Sequence, residues 1–193
     1  MSLNTIEENR RQNLFQEGEE VWLFGYGSLI YKVDFPFLES KPASIAGWSR
    51  KFWQGSHDHR GTEQNPGRVA TLVEDENATC GGLAFKVVSA VFNHLDEREK
   101  NGYLRILTDL TFKDGSIDKG VVYIASPDNE AFLGEASEYD IAKQICQARG
   151  PSGPNCEYLL ELAKALRELE LEDEHVFELE HCVKKIRDPK FNA

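Results

Sequence analysis

The chain has 193 residues, a length that normally forms one domain and buries about 70% of the surface its unfolded form would expose. A hydrophobic fraction of 40% with 28% charged residues is ordinary for a globular protein, and no run of about 18 apolar residues offers a membrane span. A net charge of −11 argues against nucleic acid or an anionic membrane as a partner.

The charge is uneven. Residues 43–72 hold four basic side chains (Arg50, Lys51, Arg60, Arg68) against two acidic ones, Asp58 and Glu63. They form either a local positive patch suited to a small anion or ordinary surface. Residues 168–180 hold seven acidic residues and no Lys or Arg, most simply a solvated helix face. Cys80, Cys146, Cys156 and Cys182 show no CxxC spacing. With no apolar core of a secretory signal in MSLNTIEENRRQNLFQEGEE, they read as reduced thiols of a cytoplasmic protein, with no structural zinc.

In chain order, residues 1–20 read as a polar tail with at most one short helix. VWLFGY (21–26) is a short apolar run ending in glycine, the pattern of a strand buried on both faces. Residues 45–55 are again strand-like, and 57–68 form a loop. Residues 69–73 and 79–87 are two further strands with a turn at 74–78. Val88, Val91, Phe92 and Leu95 share one helical face, which predicts a helix over 88–100 stopped by Gly102. Strands at 103–112 and 120–125 flank a turn at Gly115. Ser137 and Asp140 have capping-box spacing ahead of a helix carrying Ile141 and Ile145. GPSGPN (150–155) is a loop with Asn155 as a candidate N-cap. Two more helices follow, one through Leu159, Leu162 and Leu166, the other through Val176, Leu179, Val183 and Ile186. Strands first and helices last make an α+β protein, one domain over residues 21–187, with a short C-terminal tail at 188–193.

Three constellations could carry chemistry. Gly25 and Gly27 closely follow the first strand. Consecutive N–H groups in such a turn can cradle an anion or a developing oxyanion, or the turn can be purely structural. Tyr31 stands where a dinucleotide fingerprint needs its third glycine, and no P-loop lysine follows. The second is Glu99, seven residues after Phe92 and four after Leu95. It therefore falls on the apolar stripe, where desolvation raises a carboxylate's pKa toward that of a working base, unless the last helical turn frays and releases it to water. Asp96 and Lys100 read instead as a solvent-facing i, i+4 pair. The third, His57 and His59, has no supporting third ligand. No serine or cysteine has a convincing His/Asp partner, and Trp48, Phe52 and Trp53 read as core.

FGYGSLI (24–30), RKFWQGSHDHRGT (50–62), NPGRVATLV (65–73), LDEREKNGY (95–103) and GPSGPNCEYL (150–159) occur in this order. Together they closely resemble the ChaC family of γ-glutamyl cyclotransferases, in its glutathione-specific branch, over residues 21–186. The resemblance implies a small mixed β-barrel flanked by helices, with neither metal nor organic cofactor. It implies Glu99 as the catalytic carboxylate, a substrate loop at Leu23, Phe24, Gly25, Tyr26, Gly27 and Ser28, and Tyr158 as a pocket residue. His94 departs from the aromatic residue common before the Leu-Asp pair, and the short connections suit a compact member. The implied activity is cleavage of glutathione to 5-oxoproline and cysteinylglycine, with Arg50, Arg60 or Arg68 as a possible carboxylate clamp. Activity on other γ-glutamyl compounds, or a non-catalytic glutathione sensor, are the competing readings.

Overall fold

The computed structural model describes residues 4–100 and 102–188, in two compact units. The first comprises residues up to 49 together with 74–129, and the second residues 50–73 with those from 130 onward. The elements are α1 (Ile6–Arg11), β1 (Glu20–Gly25), β2 (Glu39–Ser56), β3 (Gly67–Val88), α2 (Val91–Arg98), β4 (Tyr103–Phe112), β5 (Ile117–Ala125), α3 (Glu138–Gln147), β6 (Arg149–Gly150), β7 (Gly153–Pro154), α4 (Asn155–Glu168) and α5 (Glu174–Arg187).

A closed barrel in the order β1-β3-β2-β4-β5 organises the first unit. β1 pairs antiparallel with β3 and parallel with β5, so the barrel is mixed. Closure leaves β1 with a neighbour on each side, and Leu23 and Phe24 are fully buried; this is why its sequence is a continuous apolar run rather than an alternating one. Leu23, Phe85, Val87, Phe92, Leu95 and Val121 belong to one core cluster that fastens α2 to the barrel.

Two expectations about strands fail for one reason. The stretch 67–88 is a single strand, without a turn at 74–78. Residues 74–77 are polar because they are exposed, and they contain neither Gly nor Pro to reverse the chain. Likewise Val88 closes β3, so α2 begins only at Val91 and ends at Arg98. Gly102 does adopt a positive φ of 89°; Asn101 lies outside the described residues.

The N-terminal stretch is more than a polar tail. Ile6 and Asn9, three apart on α1, are both buried. Thr5 N–H donates to the Lys100 carbonyl (3.1 Å). Asn9 donates to the Tyr103 carbonyl (3.1 Å) and accepts the Arg105 N–H (2.9 Å). The stretch thus satisfies backbone groups at the α2–β4 junction that would otherwise be orphaned. Apart from Asp188, the C-terminal tail expected at 188–193 lies outside the described residues.

In the second unit α3, α4 and α5 bury Ile141, Ile145, Leu159, Leu162, Leu166, Val176 and Leu179. Ser137 Oγ caps α3 by accepting the Asp140 N–H (3.2 Å). Asn155 is not a cap: it is the first residue of α4, and its amide pairs with both backbone groups of Arg68 (2.7 and 2.8 Å). The acidic run is not simply a solvated face either. Asp173 caps α5 and pairs with Arg50, and Glu180 holds Arg167 and Lys184. All four cysteines are free thiols.

Candidate active site

The β1 strand delivers the glycine turn. Gly25 ends β1, and a 3-10 helix over Ser28–Ile30 follows at once. A Cβ on Gly25 would stand 3.0 Å from the Leu29 Cβ, tighter than an ordinary contact, so the close return of the chain favours glycine there. Leu23 and Phe24 are sealed in the barrel wall and can offer only backbone to a ligand. Tyr26 donates its hydroxyl to the Tyr123 carbonyl (2.7 Å), anchoring the turn to β5. Among the described residues no hydrogen bond engages the Gly27 or Ser28 N–H. These two donors stand at the start of the 3-10 helix, where backbone N–H groups lack intrahelical partners.

α2 delivers the carboxylate. Glu99 is the C-cap of α2 (φ −98°, ψ 15°), and its N–H still donates to the Leu95 carbonyl (2.8 Å). The last turn therefore holds rather than fraying. The Glu99 side chain is 18% exposed. Burial raises its pKa from 4.5 to about 6; Arg98 opposes the rise and Asp34 adds to it. Glu97 beside it is 58% exposed and pairs with Arg10.

Arg98 joins the two parts. Its Nε lies 3.3 Å from Glu99 Oε1. Its Nη2 donates to Ser28 Oγ (2.9 Å), and its Nη1 to the Lys32 carbonyl (3.1 Å) and Asp34 Oδ1 (2.6 Å). The carboxylate and the glycine turn, separated by some seventy residues in sequence, are thus linked through one guanidinium.

Asp96 is the largest departure from expectation. It does not face solvent with Lys100 but is fully buried. It accepts from Arg105 Nε (2.9 Å), Arg105 Nη2 and the Tyr123 hydroxyl (2.7 Å). Burial works against the Arg105 charge, yet the bonds to Asp96 push its pKa up on balance. Burial first, and then Asp96, raise the Tyr123 pKa, so its phenol remains a donor. A signal was available: Phe92, Asp96 and Glu99 are spaced i, i+4, i+7.

The second unit holds Tyr158 and the three arginines considered as clamps. Tyr158 is buried, accepts the Ala70 N–H (3.3 Å) and meets Phe52 edge-on at 5.8 Å. Arg50, Arg60 and Arg68 are buried rather than displayed as a positive patch. Arg50 pairs with Asp173. Arg60 donates to the Pro154 carbonyl (3.1 Å). Arg68 bonds Gln144, the Phe52 carbonyl and the Gly134 carbonyl. Each is thus tied to other residues of this unit. Phe52 is fully buried core, whereas Trp48 and Trp53 are only half-buried.

Among the described residues no group of three or more His, Cys, Asp or Glu side chains could hold a metal ion, and no helix is long and apolar enough to cross a membrane. His59 instead approaches Asp58 (3.7 Å) and Ser152 (3.4 Å).

A family model for ChaC-like proteins matches residues 21–186. The chain is 46% identical over 178 residues to γ-glutamylcyclotransferase 2-3 of Arabidopsis thaliana, covering 86% of this chain and 89% of that protein. It is 40% identical over 180 residues to glutathione-specific γ-glutamylcyclotransferase 1 of Danio rerio, covering 88% and 91%. The crystal structure of a yeast γ-glutamyl cyclotransferase specific to glutathione superposes with a TM-score of 0.80 at 32% identity, covering 87% of this chain and 97% of that one.

Proposed function

The chain belongs to the ChaC-like family, and from that premise we propose that it cleaves glutathione by cyclising the γ-glutamyl group to 5-oxoproline, with release of cysteinylglycine and Glu99 as the proton carrier. The single observation that carries the site assignment is the largely buried carboxylate of Glu99 linked through Arg98 to the glycine turn.

In the reaction the substrate's α-amine attacks its own γ-carbonyl carbon. A C–N bond forms, the amide bond to cysteine breaks, and no water is consumed. An α-amino group titrates near pH 8 and needs a base at neutral pH. An ordinary glutamate at 4.5 is a weak acceptor for that proton, and raising Glu99 to about 6 closes part of the mismatch, worth about 2 kcal/mol. The protonated Glu99 then gives its proton to the departing cysteinyl nitrogen, and the extra proton left on the new lactam nitrogen passes to the released amine, so no net proton is taken up or lost. The N–H groups of Gly27 and Ser28 supply donors for the tetrahedral oxyanion, where one such donor is typically worth about 3 kcal/mol. Closing a five-membered ring is favoured once the substrate is folded, so positioning supplies several kcal/mol more. The family resemblance alone assigns Tyr158 a part in substrate binding, and the protein acts as a soluble cytoplasmic enzyme on a small-molecule substrate with neither metal nor organic cofactor.

Incubating the protein with glutathione should yield 5-oxoproline and cysteinylglycine in equal amounts. γ-Glu-Ala offered in its place tests the wider γ-glutamyl specificity, and binding of glutathione without either product would sink the enzymatic reading. The pH profile offers a second check. kcat/KM should climb as pH rises through about 6, where Glu99 loses its proton, because only the carboxylate can accept one. A profile flat from pH 5 to pH 7 would remove Glu99 from the role of base.

A further inference from the structure

We infer that Arg98 is a positioning residue for this reaction, one that holds the Glu99 carboxylate and the Ser28 hydroxyl in register across the site; the inference rests on Glu99 being the proton carrier. The side chain is 15% exposed and meets four oxygens on three stretches of chain. They are the Glu99 carboxylate at the end of α2, Ser28 Oγ in the 3-10 helix, and the Lys32 carbonyl and Asp34 carboxylate beyond it. Spanning them takes a planar fork of five N–H donors. A lysine ammonium, a point charge on a flexible stem, cannot reach oxygens on opposite sides at once.

The fork has two consequences for chemistry. Ser28 Oγ accepts from Nη2 (2.9 Å), which turns its own O–H proton away from Arg98. The hydroxyl is thereby oriented as a donor, on the same residue whose N–H has no bond among the described residues. Glu99, for its part, has one oxygen in an ion pair with Nε at 3.3 Å, at the very end of a helix, where an unrestrained side chain would swing. Asp34 grips the other side of the guanidinium, and His94 Nε2 lies 3.6 Å from the same Asp34 oxygen. Burial tends to raise the Asp34 pKa, but Arg98 and His94 hold it below the usual carboxylate value. The Asp34–Arg98 pair therefore stays charged through the range in which Glu99 titrates.

The test compares R98A, R98K and E99Q with the parent chain, using E97Q as a neighbouring surface control. The assay is 5-oxoproline formation from glutathione across pH. R98A should lose about 100-fold in kcat, as displacements near 1 Å do. Its acidic limb should move to higher pH, because a positive charge beside Glu99 is gone while Asp34 remains. Guanidinium ion at millimolar concentration should restore part of kcat in R98A and draw the limb back. R98K should lose about tenfold or more, since it keeps charge without the fork, and E97Q should match the parent. A folded R98A and R98K with parental kcat and an unmoved limb, beside an inactive E99Q, would overturn the positioning role alone. Should R98A fail to fold, R98K decides in the same way. An E99Q as active as the parent removes the base assignment itself, whatever the Arg98 variants do.

Discussion

Glu99→Gln is expected to lower kcat for 5-oxoproline formation by about 10²- to 10⁴-fold, the usual contribution of a positioned general base. Glutamine keeps the length and shape of the side chain while removing the proton-accepting oxygen and, with its charge, the ion pair to Arg98. Turnover within tenfold of the parent, in a protein with parental circular dichroism, would exclude Glu99 as the base. The same variant carries a stability signature. The folded state binds the Glu99 proton more tightly than the unfolded chain, at about 6 against 4.5. The stability linked to that proton is fully present below pH 4.5 and is lost as pH rises through about 6. The loss amounts to about 2 kcal/mol. An amide has no such proton to lose. E99Q should therefore melt about 4–8 °C above the parent near pH 8, with the advantage shrinking as pH falls. Less activity together with more stability is the mark of a carboxylate desolvated for work.

Asp96→Ala is expected to cost about 3–5 kcal/mol of folding stability, because it strands the Arg105 guanidinium in a buried site without its counter-charge. Chemical denaturation at pH 7 measures the loss. Asp96 is fully buried and receives two guanidinium donors and a phenol, so its loss unpairs three donors at once. Tyr123→Phe should cost less, about 1.5–3 kcal/mol, since it removes one bond to a charged acceptor and leaves the ion pair whole. The consequences reach the site, because Asp96 lies one turn before Glu99 on α2 and Tyr123 also anchors Tyr26 through its carbonyl. A cost under 1 kcal/mol for D96A would mean that water or a rearranged neighbour takes over the carboxylate's place, and the rigidity ascribed to α2 would go with it.

Strand positions, the glycine turn and the capping serine were readable locally because each depends on a few adjacent residues. A buried strand needs an apolar run, a Cβ on Gly25 would crowd the Leu29 Cβ four residues on, and Ser137 needs only the N–H three residues on. The polar stretch at 74–78 misled because polarity reports exposure, and an exposed strand edge and a turn look alike in composition. The N-terminal helix is hard to read for the opposite reason: two buried positions in six residues are too few to show a periodicity.

Charged residues were the hardest to read. Helical spacing placed Glu99 on the inward stripe but could not separate a buried base from a frayed end, and it misassigned Asp96 although Phe92+4 points to it. Composition leaves Arg50, Arg60 and Arg68 as either a positive patch or ordinary surface, whereas the fold buries all three, and no local spacing marks Arg98. The sequence by itself determined the order of strands and helices, the tight turn after β1 and, through its motifs, the family. Only the tertiary structure decided which carboxylate is fully paired in the interior, which is largely buried and proton-seeking, and which arginine stands between that carboxylate and the turn. The reason is physical: an apolar side chain's fate follows from its own transfer free energy, whereas a buried charge is tolerated only where a distant segment brings the partner that satisfies it.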